Sequence, residues 1–212
     1  MRQDVNSLLE QLRNHNIPAS YVKDKREALE EVLSMIPTNS VVGFGDSLTL
    51  RQIGLVDALQ EGRYVFLNPY APGVSLEENI RLKRRALTSD VFVTGSNAVT
   101  LSGKIVNVDG HGNRVAAMLF GPRKVILVVG INKIVATVED ALARIRNRAA
   151  VLNVQRHTEF DPMPPCGSTG VCTDCTSPWR ICNKTVIIER QYDNDKYQPV
   201  ITVVVVGEEL GL

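Results

Sequence analysis

Four cysteines that lie close together in the chain have the clearest capacity for chemistry. They are the only cysteines among the 212 residues and lie within 17 residues of one another: Cys166, Cys172, Cys175 and Cys182. Four thiolates complete either a tetrahedral zinc site or the outer shell of an iron-sulfur cluster. We predict that all four are metal ligands, and we favour a 4Fe-4S iron-sulfur cluster over zinc because only Cys172 and Cys175 form a C-x-x-C pair. Redox-active thiols and cysteines without a ligand remain alternatives.

The segment that contains these cysteines, residues 162–183, differs in composition from the rest of the chain. It is rich in Pro, Gly, Ser and Thr and shows little hydrophobic periodicity. Irregular segments of this length within a compact chain are usually either functional or disordered. Trp179, the only tryptophan, is predicted to pack this cysteine segment against the rest of the domain.

Polar loops containing glycine follow three of the predicted strands. Ligands of open α/β sheets bind at the carboxyl ends of the strands, where glycines let backbone amides approach an anion. We predict that the three loops converge on a small anionic ligand, such as a phosphate or a carboxylate. The candidate ligand-binding residues are Gly43, Gly45, Asp46, Ser47, Thr49, Gly95, Asn97, Gly110, Asn113, Arg114 and Lys133.

Asp109 lies in the second of these loops and is a candidate catalytic base. Its alternative role is to cap the helix that follows. The loop after residue 42 lacks the third glycine of a dinucleotide fingerprint, and the chain contains no Gly-Lys-Ser/Thr of a P-loop. Hydride transfer from a dinucleotide and hydrolysis of a nucleoside triphosphate are therefore disfavoured.

Strand and helix patterns alternate along most of the chain, which predicts an α/β fold with a largely parallel sheet flanked by helices. Residues 98–109 interrupt the alternation and predict an inserted β-hairpin, because a Ser-Gly turn joins two short runs rich in β-branched residues. Residues 138–149 predict a helix. Residues 185–189 and 200–206 predict a strand pair around a polar turn that contains Asn194. We expect residues 1–212 to form one domain that includes the cysteine segment.

Charge and composition limit the classes of partner. The 24 Lys and Arg residues nearly balance the 23 Asp and Glu residues, so the net charge is +1 and a nucleic-acid-binding surface is not expected. The longest apolar run is far shorter than the roughly 20 residues that span a membrane. We expect a cytoplasmic protein with no membrane span, and a homodimer is compatible with these features.

Four stretches together resemble the LUD-domain family, which is named for lactate utilisation. They are residues 41–55 (VVGFGDSLTLRQIGL), 95–117 (GSNAVTLSGKIVNVDGHGNRVAA), 120–135 (FGPRKVILVVGINKIV) and 170–183 (GVCTDCTSPWRICN). The resemblance implies a place in the larger superfamily of sugar-phosphate isomerases and coenzyme A transferases. It also implies the α/β sheet with an inserted hairpin.

The resemblance further implies a role beside iron-sulfur oxidoreductase subunits, as in the C component of the lactate utilisation system. The leading hypothesis is a protein that supports oxidation of L-lactate or a similar 2-hydroxy acid together with those partners, and that binds a small anionic ligand at the strand-end loops. A stand-alone enzyme acting on a sugar phosphate or an acyl-coenzyme A is the first alternative. A metal-binding or regulatory module without turnover is the second.

Overall fold

The computed structural model of the chain describes residues 2–157, 159–193 and 200–212. Helices and strands alternate along these residues, and short 3-10 and π-helical turns occur at Ile131–Lys133 and Ile145–Ala149. In chain order the elements are α1 (Arg2–Asn14), β1 (Ala19–Val22), α2 (Lys25–Ser34), β2 (Val41–Gly45), α3 (Leu48–Gln52), α4 (Leu55–Gln60), β3 (Val65–Leu67), α5 (Leu76–Ala86), β4 (Val91–Gly95), β5 (Ala98–Thr100), β6 (Ile105–Asp109), α6 (Asn113–Leu119), β7 (Lys124–Gly130), β8 (Ile134–Val135), α7 (Val138–Arg144), α8 (Ala150–Gln155), α9 (Pro165–Thr169), β9 (Lys184–Ile188) and β10 (Val200–Val206).

A six-stranded sheet with the order β1-β10-β7-β4-β2-β3 forms the centre of the molecule. All its neighbouring strands run parallel, which confirms the predicted largely parallel sheet. The two central strands β10 and β7 are rich in valine, and their side chains are buried on both faces of the sheet. Continuous burial of this kind requires a cover of helices on each face.

The two faces of the sheet carry separate hydrophobic cores. Helices α1, α5 and α6 cover one face, where Leu8 and Met118 pack with the β7 side chain Leu127. Helices α2, α3 and α4 cover the other face, where Leu50 packs with the next β7 side chain, Val128. Successive residues of a strand point to opposite faces, so one apolar strand contributes to both cores.

A second, smaller sheet has the order β8-β5-β6-β9. The antiparallel pair β5 and β6 is the predicted hairpin, and this prediction is confirmed. The predicted pairing of residues 185–189 with residues 200–206 is wrong, because β9 pairs with β6 whereas β10 lies between β1 and β7. Strand β10 is apolar on both faces and therefore suits the centre of a parallel sheet. The predicted turn at Asn194 lies outside the described residues.

The predicted helix over residues 138–149 is divided into α7, a π-helical turn and α8, and it continues to Gln155. The capping box formed by Thr137 and Asp140 fixes its start. In the described part of the chain, no helix combines the length and the apolar character needed to cross a membrane.

Candidate functional site

A cleft of about 770 Å³ opens at the carboxyl ends of β2, β4 and β6. Parallel strands end at the same edge of a sheet, so the loops that follow them meet there. Ser47 follows β2, Asn97 follows β4, and Lys133 follows β7. The predicted residues that line this cleft are Gly45, Asp46, Ser47, Gly95, Asn97, Asp109, Gly110, Asn113, Arg114 and Lys133.

Two of the predicted ligand-binding residues lie outside the cleft lining. Gly43 is inside β2 rather than in a loop, and a Cβ atom at this position would come within 2.9 Å of the Ala86 and Phe92 side chains. Its small size therefore lets α5 and β4 pack against β2. Thr49 is fully buried beneath the cleft, and its Oγ1 accepts a hydrogen bond of 2.9 Å from Lys133 Nζ.

Lys133 is a buried cation at the floor of the cleft, with 5% of its surface exposed. Among the described residues, no carboxylate lies within ion-pair distance of its Nζ atom. Burial, together with the positive charges of Arg144 and Arg114, lowers the pKa of the Lys133 ammonium to about 7. Below pH 7 the floor of the cleft therefore carries a positive charge that has no carboxylate partner among the described residues.

Arg114 organises one side of the cleft through a buried polar network. Its Nε donates to Asp109 Oδ1 at 2.8 Å, its Nη1 donates to Asn107 Oδ1 at 2.8 Å, and its Nη2 donates to Asn97 Oδ1 at 2.9 Å. Asp109 Oδ2 also accepts the backbone N–H groups of Arg114 and Val115 at 3.2 Å each. The Asp109 carboxylate thus anchors both the guanidinium group and the first turn of α6.

Asp46, on the loop after β2, has partners that do not belong to this network. Its carboxylate pairs with Arg156 at 2.8 Å and with Arg51 at 3.4 Å. Arg156 follows α8, so this ion pair joins the loop after β2 to the end of a helix more than 100 residues further along the chain.

Tyr70 and Lys83 also line the cleft, although no sequence pattern singled them out. Tyr70 is on the loop after β3, and burial raises the pKa of its phenol. The Lys83 ammonium lies 5.2 Å from the centre of the Tyr70 ring. The sequence contained a signal for Tyr70, because its loop follows the carboxyl end of a strand of the same sheet. The prediction relied on loops that contain glycine, and the Asn-Pro-Tyr sequence of this loop has none.

Three aromatic rings form one wall of the cleft, which we call the aromatic wall: His157, Phe160 and Trp179. The ring centres of Phe160 and Trp179 are 5.7 Å apart with an angle of 25° between their planes, and those of His157 and Phe160 are 5.0 Å apart at 30°. Trp179 Nε1 donates to the Asp161 carbonyl oxygen at 2.7 Å, which fixes the indole, yet 43% of the residue is exposed. Trp179 therefore belongs both to the cysteine segment and to the cleft.

The cysteine segment packs beside the cleft with little regular structure. It contains the short helix α9, and residues 170–183 form no helix or strand. Arg180 holds its loop together by donating to the carbonyl oxygens of Cys175 and Cys182 at 2.6 and 3.1 Å. Cys182 lines the cleft, and together with Cys172 it also lines a smaller cavity of about 170 Å³.

All four cysteines are free thiols and are partly exposed. Burial, followed by the neighbouring thiols of Cys175, Cys182 and Cys172, raises the pKa of Cys166, so the four sulfurs lie within electrostatic range of one another. Across the described ranges, no three His, Cys, Asp or Glu side chains are arranged to hold a single metal ion. The four thiols are thus neighbours without converging on one point.

Comparisons with known proteins agree with the fold. The chain is similar in structure to a DUF162 family protein from Deinococcus radiodurans, with a TM-score of 0.53, 14% identity, and coverage of 97% of this chain and 98% of that chain. Ribose 5-phosphate isomerase A from Neisseria gonorrhoeae overlaps with 61% of this chain and 65% of that chain at a TM-score of 0.35 and 14% identity. A search of curated proteins found no significant match. The profile of the LUD domain matches residues 5–205, and the chain therefore belongs to the LUD-domain family.

Proposed function

We propose that the cleft binds a small anionic ligand and that the protein supports oxidation of L-lactate or a similar 2-hydroxy acid together with iron-sulfur partner subunits. Membership of a family named for lactate utilisation supports the biological setting. The observation that carries the binding proposal is Lys133, a buried ammonium at the cleft floor without a carboxylate partner among the described residues.

A buried charge is unfavourable unless an opposite charge compensates it. Arg144 and Arg114 increase the positive potential around Lys133, but their guanidinium groups already donate to protein acceptors, so Lys133 is the cation that would pair directly with a carboxylate or phosphate group. The Ser47 hydroxyl lies at the same floor, and the missing side chain of Gly95 lets this hydroxyl approach β4 closely, since a Cβ atom there would be 2.8 Å from Ser47 Oγ.

We assign Asp109 a positioning role rather than that of a free base. Its two carboxylate oxygens already accept hydrogen bonds from the Arg114 guanidinium and from two backbone N–H groups. In this arrangement the carboxylate holds Arg114 along the side of the cleft, where the guanidinium binds Asn97 and Asn107 and fixes the loop after β4.

Anion binding to Lys133 has a defined pH dependence. The anion prefers the protonated ammonium, so its affinity is greatest below the Lys133 pKa of about 7 and decreases as the pH rises above that value. For a ligand that keeps its charge over this range, the decrease approaches tenfold per pH unit if binding depends on the protonated form.

Isothermal titration of L-lactate, pyruvate and inorganic phosphate tests the binding proposal. We expect at least one of them to bind at pH 6 and Lys133→Met to weaken that binding at least tenfold. Lys104→Met is the matched control, because Lys104 pairs with Glu189 outside the cleft. Equal affinities of wild type and Lys133→Met, or an affinity for L-lactate or pyruvate that does not change between pH 6 and 9, would contradict the proposal.

We further propose that Cys166, Cys172, Cys175 and Cys182 hold an iron-sulfur cluster. A single tetrahedral zinc ion requires its sulfur ligands to lie about 3.8 Å apart, given Zn–S bonds of ~2.3 Å. The described thiols do not form such a group. A cluster is bound by four cysteine thiolates, and these four thiols lie within electrostatic range of one another; zinc remains the alternative occupant. The cluster would supply one-electron transfer beside the cleft.

Anaerobic purification followed by iron, sulfide and zinc analysis tests this assignment. We expect iron and sulfide in the isolated or reconstituted protein, with loss of both in Cys172→Ser and Cys175→Ser. Lys133→Met should retain the iron, since its residue lies at the floor of the cleft rather than in the cysteine segment. Protein that carries neither metal after reconstitution would contradict a metal site.

A further inference from the structure

We propose that the aromatic wall binds a flat heteroaromatic ring, so that the ligand of the cleft is a phosphate-bearing ring compound such as flavin mononucleotide or an adenine nucleotide. The proposal rests on the anion site described above, because the phosphate is placed at the floor beside Lys133. It extends that site to the aromatic wall and assigns the class of ligand.

The size of the cleft exceeds what a three-carbon hydroxy acid requires. Such an acid has six heavy atoms and displaces about six water molecules, or roughly 180 Å³ at ~30 Å³ per water. The cleft encloses about 770 Å³, a volume typical of sites for much larger organic ligands. Most of the cleft is therefore available to a part of the ligand other than its anionic group.

The exposed face of the aromatic wall suits a flat ring. Phe160 and Trp179 are nearly parallel, and the hydrogen bond from Trp179 Nε1 to the Asp161 carbonyl oxygen holds the indole in place. With 43% of Trp179 exposed inside a cleft, a fixed aromatic surface remains accessible. Stacking against side chains of this kind is the usual way in which proteins hold nucleobases, and it tolerates any flat ring.

The aromatic wall and the anion site belong to one continuous surface. Arg156 directly precedes His157 in the chain, and Asp46 directly precedes Ser47. The ion pair of 2.8 Å between Arg156 and Asp46 therefore joins the two parts of the cleft. One ligand with a ring at one end and a phosphate at the other can contact both parts.

The charged groups along the cleft favour a ligand that carries a phosphate over one that carries a second apolar group. Of the acidic side chains that line it, Asp46 pairs with Arg156 and Asp109 with Arg114, while the exposed Glu159 carboxylate lies 2.7 Å from His157 Nδ1. Within the described ranges, the ammonium groups of Lys83 and Lys133 have no carboxylate partner, so the cleft has positive charge available for a dianion.

Trp179 is the only tryptophan, so its fluorescence reports directly on the aromatic wall. The probes are flavin mononucleotide and AMP, with riboflavin and adenosine as rings without phosphate, and inorganic phosphate as an anion without a ring. We expect flavin mononucleotide or AMP to quench Trp179 in a saturable manner and to bind at least tenfold more tightly than inorganic phosphate. The tighter of the two identifies the ring.

Variants separate the ring contribution from the anion contribution in calorimetric titrations. Trp179→Ala should remove the tenfold gain of the ring compounds and leave phosphate binding unchanged, whereas Phe120→Ala, an exposed aromatic outside the cleft, should change neither. If Trp179→Ala does not fold, saturable quenching of the wild type by riboflavin or adenosine supplies the ring test.

The proposal is overturned if ring compounds bind no more tightly than phosphate and leave the Trp179 fluorescence unchanged. That result is distinct from failure of the proposed anion site, which appears as phosphate or carboxylate binding that Lys133→Met does not weaken. A tenfold gain of the ring compounds in calorimetric affinity that is lost in Trp179→Ala supports the aromatic wall even in that second case.

Discussion

The cleft floor and the cysteine segment are both organised by an arginine, but the two arginines have different surroundings. Arg114 is 14% exposed and bonds to strand ends, whereas Arg180 is 26% exposed and pairs with Asp174, which is 76% exposed. At the floor, the Arg114 guanidinium and the Asp109 carboxylate satisfy each other within the protein. The thiols of the cysteine segment are free and near one another.

The two regions therefore depend on the rest of the fold to different degrees. The floor is preorganised, since parallel strands and a buried network hold its side chains before any ligand binds. The cysteine segment has few regular hydrogen bonds, so we expect it to open locally at a lower free energy than the floor. Four predictions test this difference between the two regions, in decreasing order of expected effect.

The largest effect is expected from Arg114→Met. The change leaves the Asp109 carboxylate, 8% exposed, without its cation and removes one donor from each of the Asn97 and Asn107 side-chain oxygens. Breaking a buried pair in this way costs about 3–5 kcal/mol. Urea unfolding should show this loss, while Arg81→Met, in an exposed pair with Glu78, should lose less than about 1 kcal/mol. Equal losses would show that the floor is not preorganised.

The next effect is a pH-dependent gain of stability in Lys133→Met. Between pH 7 and the usual lysine pKa, the unfolded chain binds a proton that folded Lys133 has released, so wild-type stability rises with pH by about 1.4 kcal/mol per unit. The advantage of the methionine variant, largest below pH 7, should therefore shrink by about 3 kcal/mol from pH 6 to pH 9 in urea unfolding. A constant difference would contradict a buried lysine with a lowered pKa.

Gly43→Ala should destabilise the protein without lowering its affinity for the ligand. The new Cβ would lie 2.9 Å from Ala86 Cβ and from Phe92, which corresponds to overpacking that costs about 1–3 kcal/mol. Gly95→Ala is the counterpart in the cleft, because its Cβ would lie 2.8 Å from Ser47 Oγ. Thermal unfolding together with phosphate titration should show lost stability in both variants and lost affinity in the second alone, because only Gly95→Ala displaces a side chain of the cleft floor.

The smallest global effect is expected from Arg180→Met. An exposed ion pair contributes at most about 1 kcal/mol, so urea unfolding should change little. Amide hydrogen exchange in residues 170–183 should nevertheless become faster, because the guanidinium no longer binds the carbonyl oxygens of Cys175 and Cys182. A global loss as large as that of Arg114→Met would mean that the two regions are equally integrated into the fold.

Local patterns predicted much of the fold. Valine-rich strands indicated a parallel sheet, and the Ser-Gly turn indicated the hairpin of β5 and β6, because each depends on neighbouring residues. Local patterns predicted less of the pairing between strands that are far apart in the chain. Strand β9 joins β6 in the second sheet, and β10 fills the gap between β1 and β7. Proximity in the chain favoured pairing them with each other.

The candidate site shows the same division. Polar residues at strand ends were found because one rule places them at a common edge. Tyr70, Lys83 and Phe160 were missed, since they reach the cleft from a loop, a helix and an irregular segment. Gly43 was assigned to the ligand because a glycine in sequence does not reveal whether it serves a turn or a close approach of neighbouring side chains.

The sequence by itself determined the α/β class, the polar strand ends and the cluster of four thiols, because hydrophobic period and residue spacing are local properties. The tertiary structure alone decided that Lys133 is buried without a carboxylate partner among the described residues, and that Trp179 of the cysteine segment faces the same cleft. Burial, pKa and the sharing of a cleft depend on residues far apart in the chain, and only the folded packing brings those residues together.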